Sequence, residues 1–202
     1  MRCFLYYALR KSRMTLRLLI PALLLLAASV SVQADTGHLL QRMRDGGHVL
    51  MLRHAYAPGT GDPNRFRLGD CTTQRNLNGR GRAQAEAIGA WLRERGITRA
   101  RVFSSQWCRC LETAERLALG PVTPLPALNS FFEHPRDREP NLAALRRFLG
   151  DQPRDGALII LVTHFVTIAG ITGGGVGSGE GVVLELDDQA AYPVIGRLSF
   201  DR

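Results

Sequence analysis

Lysine is almost missing from this sequence: Lys11 is the only one, so arginine supplies every other permanently charged cation. Arginine suits two-pronged recognition of phosphate wherever one is placed in a site. Metal-binding patterns are also scarce. Four cysteines are present, Cys3, Cys71, Cys108 and Cys110, but no Cys-x-x-Cys pair and no paired-histidine spacing accompanies them, so a zinc site is not expected. Gly173-Gly174-Gly175 lacks the Lys-Ser/Thr that a phosphate-cradling P-loop needs. Low-complexity tracts and long like-charge runs are absent, which together with 45% apolar residues excludes a disordered chain. No apolar stretch reaches the roughly 20 residues that span a bilayer; the longest, Leu18 to Val30, is shorter and contains Pro21.

That apolar run has its own meaning. Arg2, Arg10, Lys11, Arg13 and Arg17 precede it without any acid, and small residues at Val32-Gln33-Ala34 close it, the pattern of a secretory leader cut after Ala34. The expected organisation is a signal peptide over 1–34 and one domain over 35–202, placed in the periplasm or secreted. The formal charge of +8 then shrinks, because all 18 acids and 21 of the 26 bases follow Ala34 and leave a net +3. Such a small excess gives no support to nucleic-acid binding. Cys3 would leave with the leader. In an oxidising compartment Cys71 would pair with either Cys108 or Cys110, which are too close together to bridge each other.

Periodicity outlines the domain. A helix over 36–45 ends at Gly46-Gly47, and the buried-strand run His48 to Leu52 follows it. Residues 55–75 are rich in Gly, Pro, Asp and Asn and read as a long loop, the kind that usually carries function. Asn78 caps a helix over 79–95 with Ala83, Ala87, Ile88, Trp91 and Leu92 at helical spacing. A strand at Arg101 to Phe103, a helix over 106–119, connections over 121–126 and 129–140, and a helix over 141–149 come next. Ala157 to Val162 is the clearest strand. Further strands are expected at Val182 to Leu186 and Val194 to Phe200. Strands alternating with helices predict an α/β fold, three layers with a mostly parallel central sheet.

Three of these strands end in residues able to handle phosphate: Arg53-His54, then Ser104-Ser105 shortly before Arg109, then Thr163-His164. Ligands of open α/β sheets lie beyond the carboxyl ends of the strands, so the three segments should converge. A histidine nucleophile needs an unprotonated nitrogen aimed at phosphorus while cations hold the equatorial oxygens. His54 fits the nucleophile, Arg53 and Arg109 the two forks, and His164, if protonated, a further donor. Arg65 and Arg67, in the loop after His54, are candidates for substrate contact; His38, His48 and His134 fall outside the pattern and read as structural or solvated.

Leu52-Arg53-His54-Ala55 resembles the Arg-His-Gly or Arg-His-Ala signature of the histidine phosphatase superfamily. Leu77-Asn78-x-x-Gly81-x-x-Gln84-Ala85, Ser104-Ser105-x-x-x-Arg109-x-x-x-Thr113-Ala114 and Val162-Thr163-His164 resemble the motifs that follow it, in order. The resemblance implies a phosphoglycerate mutase-like fold, hydrolysis of a phosphomonoester through a phosphohistidine on His54, and no metal or other cofactor. It also implies a general acid near Glu133, with Asp137, Glu139 or no acid as alternatives. Phe165 stands where a phytase-like branch has an aspartate. A small-molecule or envelope phosphomonoester is the expected substrate; a phosphohistidine on a phosphoprotein and a non-catalytic phospholigand-binding role are the alternatives.

Overall fold

A computed structural model describes residues 36–187, 189 and 191–200. The leader and its cleavage after Ala34 lie outside the described residues. By contact density the chain divides into Met1–Leu40 and Gln41–Arg202, and the sheet belongs to the second unit. Helix α1 runs over 36–45 across that division. After it come β1 (His48–Arg53), α2 (Gly79–Glu94), β2 (Arg101–Ser104), α3 (Cys108–Leu117), β3 (Val122–Pro124), α4 (Arg138–Gly150), β4 (Ile159–Thr163), α5 (Phe165–Thr172), β5 (Gly181–Glu185) and β6 (Val194–Leu198).

The strands form one sheet in the order β3-β2-β4-β1-β5-β6. β3, β2, β4 and β1 are parallel, β5 runs antiparallel to β1, and β6 antiparallel to β5. The chain moves leftward from β1 to β2 to β3, then returns to insert β4 beside β1. Right-handed crossovers therefore place α2 and α3 on one face and α4 on the other, where Ile168 of α5 packs as well. Alternation along the strands serves both layers. Val49 and Met51 of β1 and Ile159 and Leu161 of β4 pack with Leu145, Leu149 and Ile168 of α4 and α5. Leu50, Leu52, Ile160 and Val162, also buried, point the opposite way, where α3 lies on β2 and β4. The connections diverge between β1 and β4, so the crevice opens at the carboxyl ends of those two strands. Their last residues, Arg53 and Thr163, are paired in register there.

The three-layer expectation holds, and two local readings change. Residues 121–126 contain a strand, β3, which pairs only with β2; prolines are tolerated on such an edge because no neighbour needs their missing N–H. Helix α4 begins at Arg138, ahead of the expected Asn141, because Pro140 falls within its first turn, where the lost donor would be unpaired anyway. Between α2 and α3 the backbones nearly touch. A Cβ on Gly89 would lie 2.1 Å from the Leu117 carbonyl oxygen. Gly89→Ala is expected to cost about 1–3 kcal/mol by overpacking, read as a lower midpoint in thermal or urea unfolding; an unchanged midpoint would contradict this packing.

Candidate active site

Strand β1 ends by delivering Arg53 and His54 into the crevice, and β4 ends by delivering His164 beside them. The two imidazole centroids lie 5.6 Å apart. His54 is 3% exposed and His164 4%. Motif residues around them act as scaffold. Asn78 caps α2 by accepting from the Gly81 N–H at 3.0 Å, and a Cβ on Gly81 would lie 1.9 Å from the Tyr56 carbonyl oxygen, so only glycine lets α2 approach the chain after His54 so closely. Gln84 accepts from the Tyr56 N–H at 2.9 Å and donates to the Ser178 carbonyl at 2.9 Å. The Ala55 N–H donates to the Thr113 hydroxyl of α3 at 3.1 Å.

His54 Nδ1 lies 2.8 Å from the Ala55 carbonyl, which can only accept. Its proton is therefore on Nδ1, and Nε2 carries the lone pair. Burial, and next the charge of Arg109, push the His54 pKa down to about 3. Burial and the neighbouring His54 and arginines also hold His164 well below the ordinary imidazole range. Its Nε2 faces the Ser105 hydroxyl at 2.9 Å and the Cys110 thiol at 3.5 Å.

Three guanidinium groups ring the histidines. Arg53 donates to the Val176 carbonyl at 3.0 Å and sits 5.6 Å from the Phe165 ring centre. Arg75 donates to Gly61 and Ala57 carbonyls at 2.7 and 2.6 Å. Arg109 forks onto Asp62, with nitrogen to oxygen distances of 2.8 and 3.1 Å, and both side chains are 4% exposed. Nε of Arg53 and of Arg109 are buried donors without a partner. Asp62 also accepts from the Trp107 indole at 2.9 Å and the Arg75 N–H at 3.0 Å. Burial raises its pKa, but the bonds from Arg109, Arg75 and Trp107 outweigh that and hold it below the usual carboxylate range.

A cavity of about 180 Å³ opens over this cluster. Arg53, His54, Arg109, His164 and Glu133 all line it, so the structure brings these five together. Glu133 sits at the mouth and accepts from the Asp62 N–H at 2.7 Å. Arg65 is exposed and outside the lining, and Arg67 is likewise exposed; Arg75 takes the place in the wall that Arg65 was expected to fill. Asp137 and Glu139 are outside it as well, whereas His134 is part of it. Asp62 and Arg75 were not anticipated; the only signal was an acid and an arginine in the loop that leads from Arg53-His54 to the Leu77-Asn78 motif. Cys71 pairs with Cys108, the first residue of α3, at a Cα separation of 5.7 Å. Two residues on, Cys110 faces the sheet, fully buried and free, its thiol pushed up to about 12 by burial. Among the described residues, no cluster of three or more His, Cys, Asp or Glu side chains is arranged to hold a metal ion, and no helix is long and apolar enough to cross a membrane.

Fold and site together define an α/β protein with a buried, uncharged histidine pair inside a ring of arginines at its sheet's carboxyl edge. Residues 49–133 match the model of the histidine phosphatase superfamily, branch 1. The fold resembles the protein histidine phosphatase SixA complexed with tungstate, with a TM-score of 0.54, 16% identity, and 76% of this chain and 97% of that one covered. The putative phosphohistidine phosphatase SixA from Agrobacterium tumefaciens aligns with a TM-score of 0.52 at 20% identity over 76% and 97% of the two chains. TTHB049 from Thermus thermophilus gives 0.52 at 22% identity over 75% and 99%. At these identities the likeness is one of fold. No curated protein sequence matches the chain. The family-model match over 49–133 and the solved structures of like fold both support the histidine phosphatase superfamily.

The buried pair fixes two expectations. Asp62→Asn, which strands the Arg109 charge, should cost about 3–5 kcal/mol of stability; a loss below about 1 kcal/mol in urea unfolding would contradict a buried ion pair. His54 has a folded pKa below its unfolded value, so the unfolded chain binds the extra proton and stability falls as pH drops from 6.5 towards about 3. Asp62, also depressed, loses its contribution in the same direction as pH falls. One proton gives about 1.4 kcal/mol per pH unit, and His54→Gln should flatten the unfolding free energy against pH by that slope; an unchanged slope would place His54 in a solvated setting.

Proposed function

We propose that the protein is an exported phosphatase that hydrolyses a phosphomonoester through a phosphohistidine on His54. The observation that carries the reading is the 2.8 Å contact of His54 Nδ1 with the Ala55 carbonyl: it assigns the proton to Nδ1 and leaves Nε2 unprotonated, and burial among arginines favours that neutral form. In this reading Nε2 attacks phosphorus as the bond to the leaving oxygen breaks. Arg53 and Arg109 receive the equatorial oxygens, with their unpartnered Nε–H groups as ready donors, and Arg75 adds charge. His164 acts from the other side as a neutral hydrogen-bonding partner of the phosphoryl group, oriented by Ser105.

Glu133 gives its proton to the leaving alkoxide and then, as carboxylate, takes one from the water that cleaves the phosphohistidine. Its place at the mouth, outside the Arg109 ion pair, supports that role; Asp62, ionised and saturated with donors, has no proton to give. Export is supported by the leader pattern before Ala34 and by the Cys71–Cys108 bridge, which persists in oxidising compartments.

Against a generic aryl phosphate, His54→Ala should lower kcat by at least about a thousandfold. Glu133→Gln should lower kcat about a hundredfold on an alkyl phosphate and much less on a phosphohistidine peptide, whose leaving nitrogen draws on a different proton source. Full activity in His54→Ala would refute the phosphohistidine route. Equal effects of Glu133→Gln on both substrates would refute its role as the acid.

A further inference from the structure

The walls of the cavity above the phosphate-directed groups are unusually apolar for a pocket built around charge. Phe66, Trp107, Phe132, Phe165 and Val166 line it. Phe66 stacks on Trp107 at 4.9 Å and 20°, and Trp107 meets the His164 ring edge-on at 5.3 Å. Among the described residues four large apolar side chains are exposed, and two of them, Phe132 at 56% and Phe165 at 48%, stand in this one pocket. Scattered exposed apolar residues need no explanation, but their concentration at the mouth of a site does.

The polar groups nearby are largely committed to one another. The Asp62 carboxylate accepts from Arg109, Trp107 and the Arg75 N–H, which fills its lone pairs. The Trp107 indole N–H is spent on Asp62, so the ring offers the pocket only carbon. One Glu133 oxygen is taken by the Asp62 N–H, and the Ser130 hydroxyl accepts from the Phe132 N–H at 3.2 Å. A sugar or glycerol hydroxyl laid against the aromatic wall would lose its water without regaining a partner there, with only Thr60, Ser130, His134 and the second Glu133 oxygen left at its margin, whereas an apolar ring would lose none. Charge narrows the choice further. Asp62 neutralises Arg109, so the positive charge left over, that of Arg53 and Arg75, matches one phosphoryl group and leaves none for a second anionic group.

We propose that the substrate class is the phosphomonoester of an uncharged alcohol carrying an apolar, ring-sized group close to the ester oxygen, held between Phe132, Phe165 and the Phe66–Trp107 stack. This rests on the phosphatase reading above and specifies its leaving group. It disfavours sugar phosphates and phosphorylated hydroxy acids as substrates of the same site.

The test uses three alkyl phosphates, so that leaving-group acidity does not imitate binding: benzyl phosphate, glycerol 3-phosphate and 3-phosphoglycerate, each incubated with the full chain and followed by release of its phosphate. Benzyl phosphate should exceed glycerol 3-phosphate in kcat/KM by at least about tenfold, the scale of filling an apolar subsite, and 3-phosphoglycerate should be slowest. Phe132→Ala should collapse that ratio, mainly through KM. Val194→Thr, at the exposed apolar residue on β6 outside the pocket, should leave it unchanged. Equal rates, a preference for either polar ester, or an intact ratio in Phe132→Ala would overturn the substrate class while leaving the phosphatase reading in place. No phosphate released from any of the three would overturn both.

Discussion

The Asp62 carboxylate is the point on which the site hangs. A long loop leaves β1 after His54 with no periodic pattern and must still bring its residues back over the sheet edge. Asp62 does this by accepting from Arg109 on α3, from the Trp107 indole and from the Arg75 backbone, while its own N–H donates to Glu133. One residue thereby fixes the second arginine, the aromatic wall, the third arginine and the candidate acid. Burial makes the arrangement expensive to break and so holds it in one geometry, because an unpaired guanidinium there would be stranded in low dielectric. The Cys71–Cys108 bridge ties the same loop to the start of α3 covalently.

Within that frame the histidines are uncharged for a physical reason. Each sits almost fully out of water and within the field of three arginines, so the cationic form is disfavoured twice. An imidazole that stays neutral at ordinary pH is ready to attack phosphorus, and the guanidinium groups that keep it neutral are those that would receive the phosphoryl oxygens. The scaffold motifs serve the same end at one remove. Asn78, Gly81, Gln84 and Thr113 do not themselves line the cavity, yet through Tyr56 and Ala55 they set the chain that carries the Nδ1 acceptor.

Much of this was legible in the sequence because it lies on periodic elements. The buried runs of β1 and β4, the apolar stripe of α2 and the residues at the strand ends gave the layers and placed Arg53, His54, Arg109 and His164 together. What escaped lies where periodicity says nothing. Asp62 and Arg75 sit in an aperiodic loop whose path is set by hydrogen bonds between residues far apart in sequence, and Arg65, equally plausible by composition, ends in solvent. β3 was hidden by Pro121 and Pro124, tolerated only because the strand is an edge. The choice between Cys108 and Cys110 turns on helical rotation: two residues along α3 carry the side chain from the loop side to the sheet side, so only Cys108 reaches Cys71.

The central claim is that His54 Nε2 takes the phosphoryl group. The most direct measurement is rapid alkaline quenching of the chain during turnover of an isotopically labelled phosphomonoester, followed by mass spectrometry of its peptides. The expected result is an acid-labile, alkali-stable phosphate on the peptide containing His54, appearing faster than free phosphate accumulates. Steady turnover with no label on His54, or label on another residue, would contradict that claim.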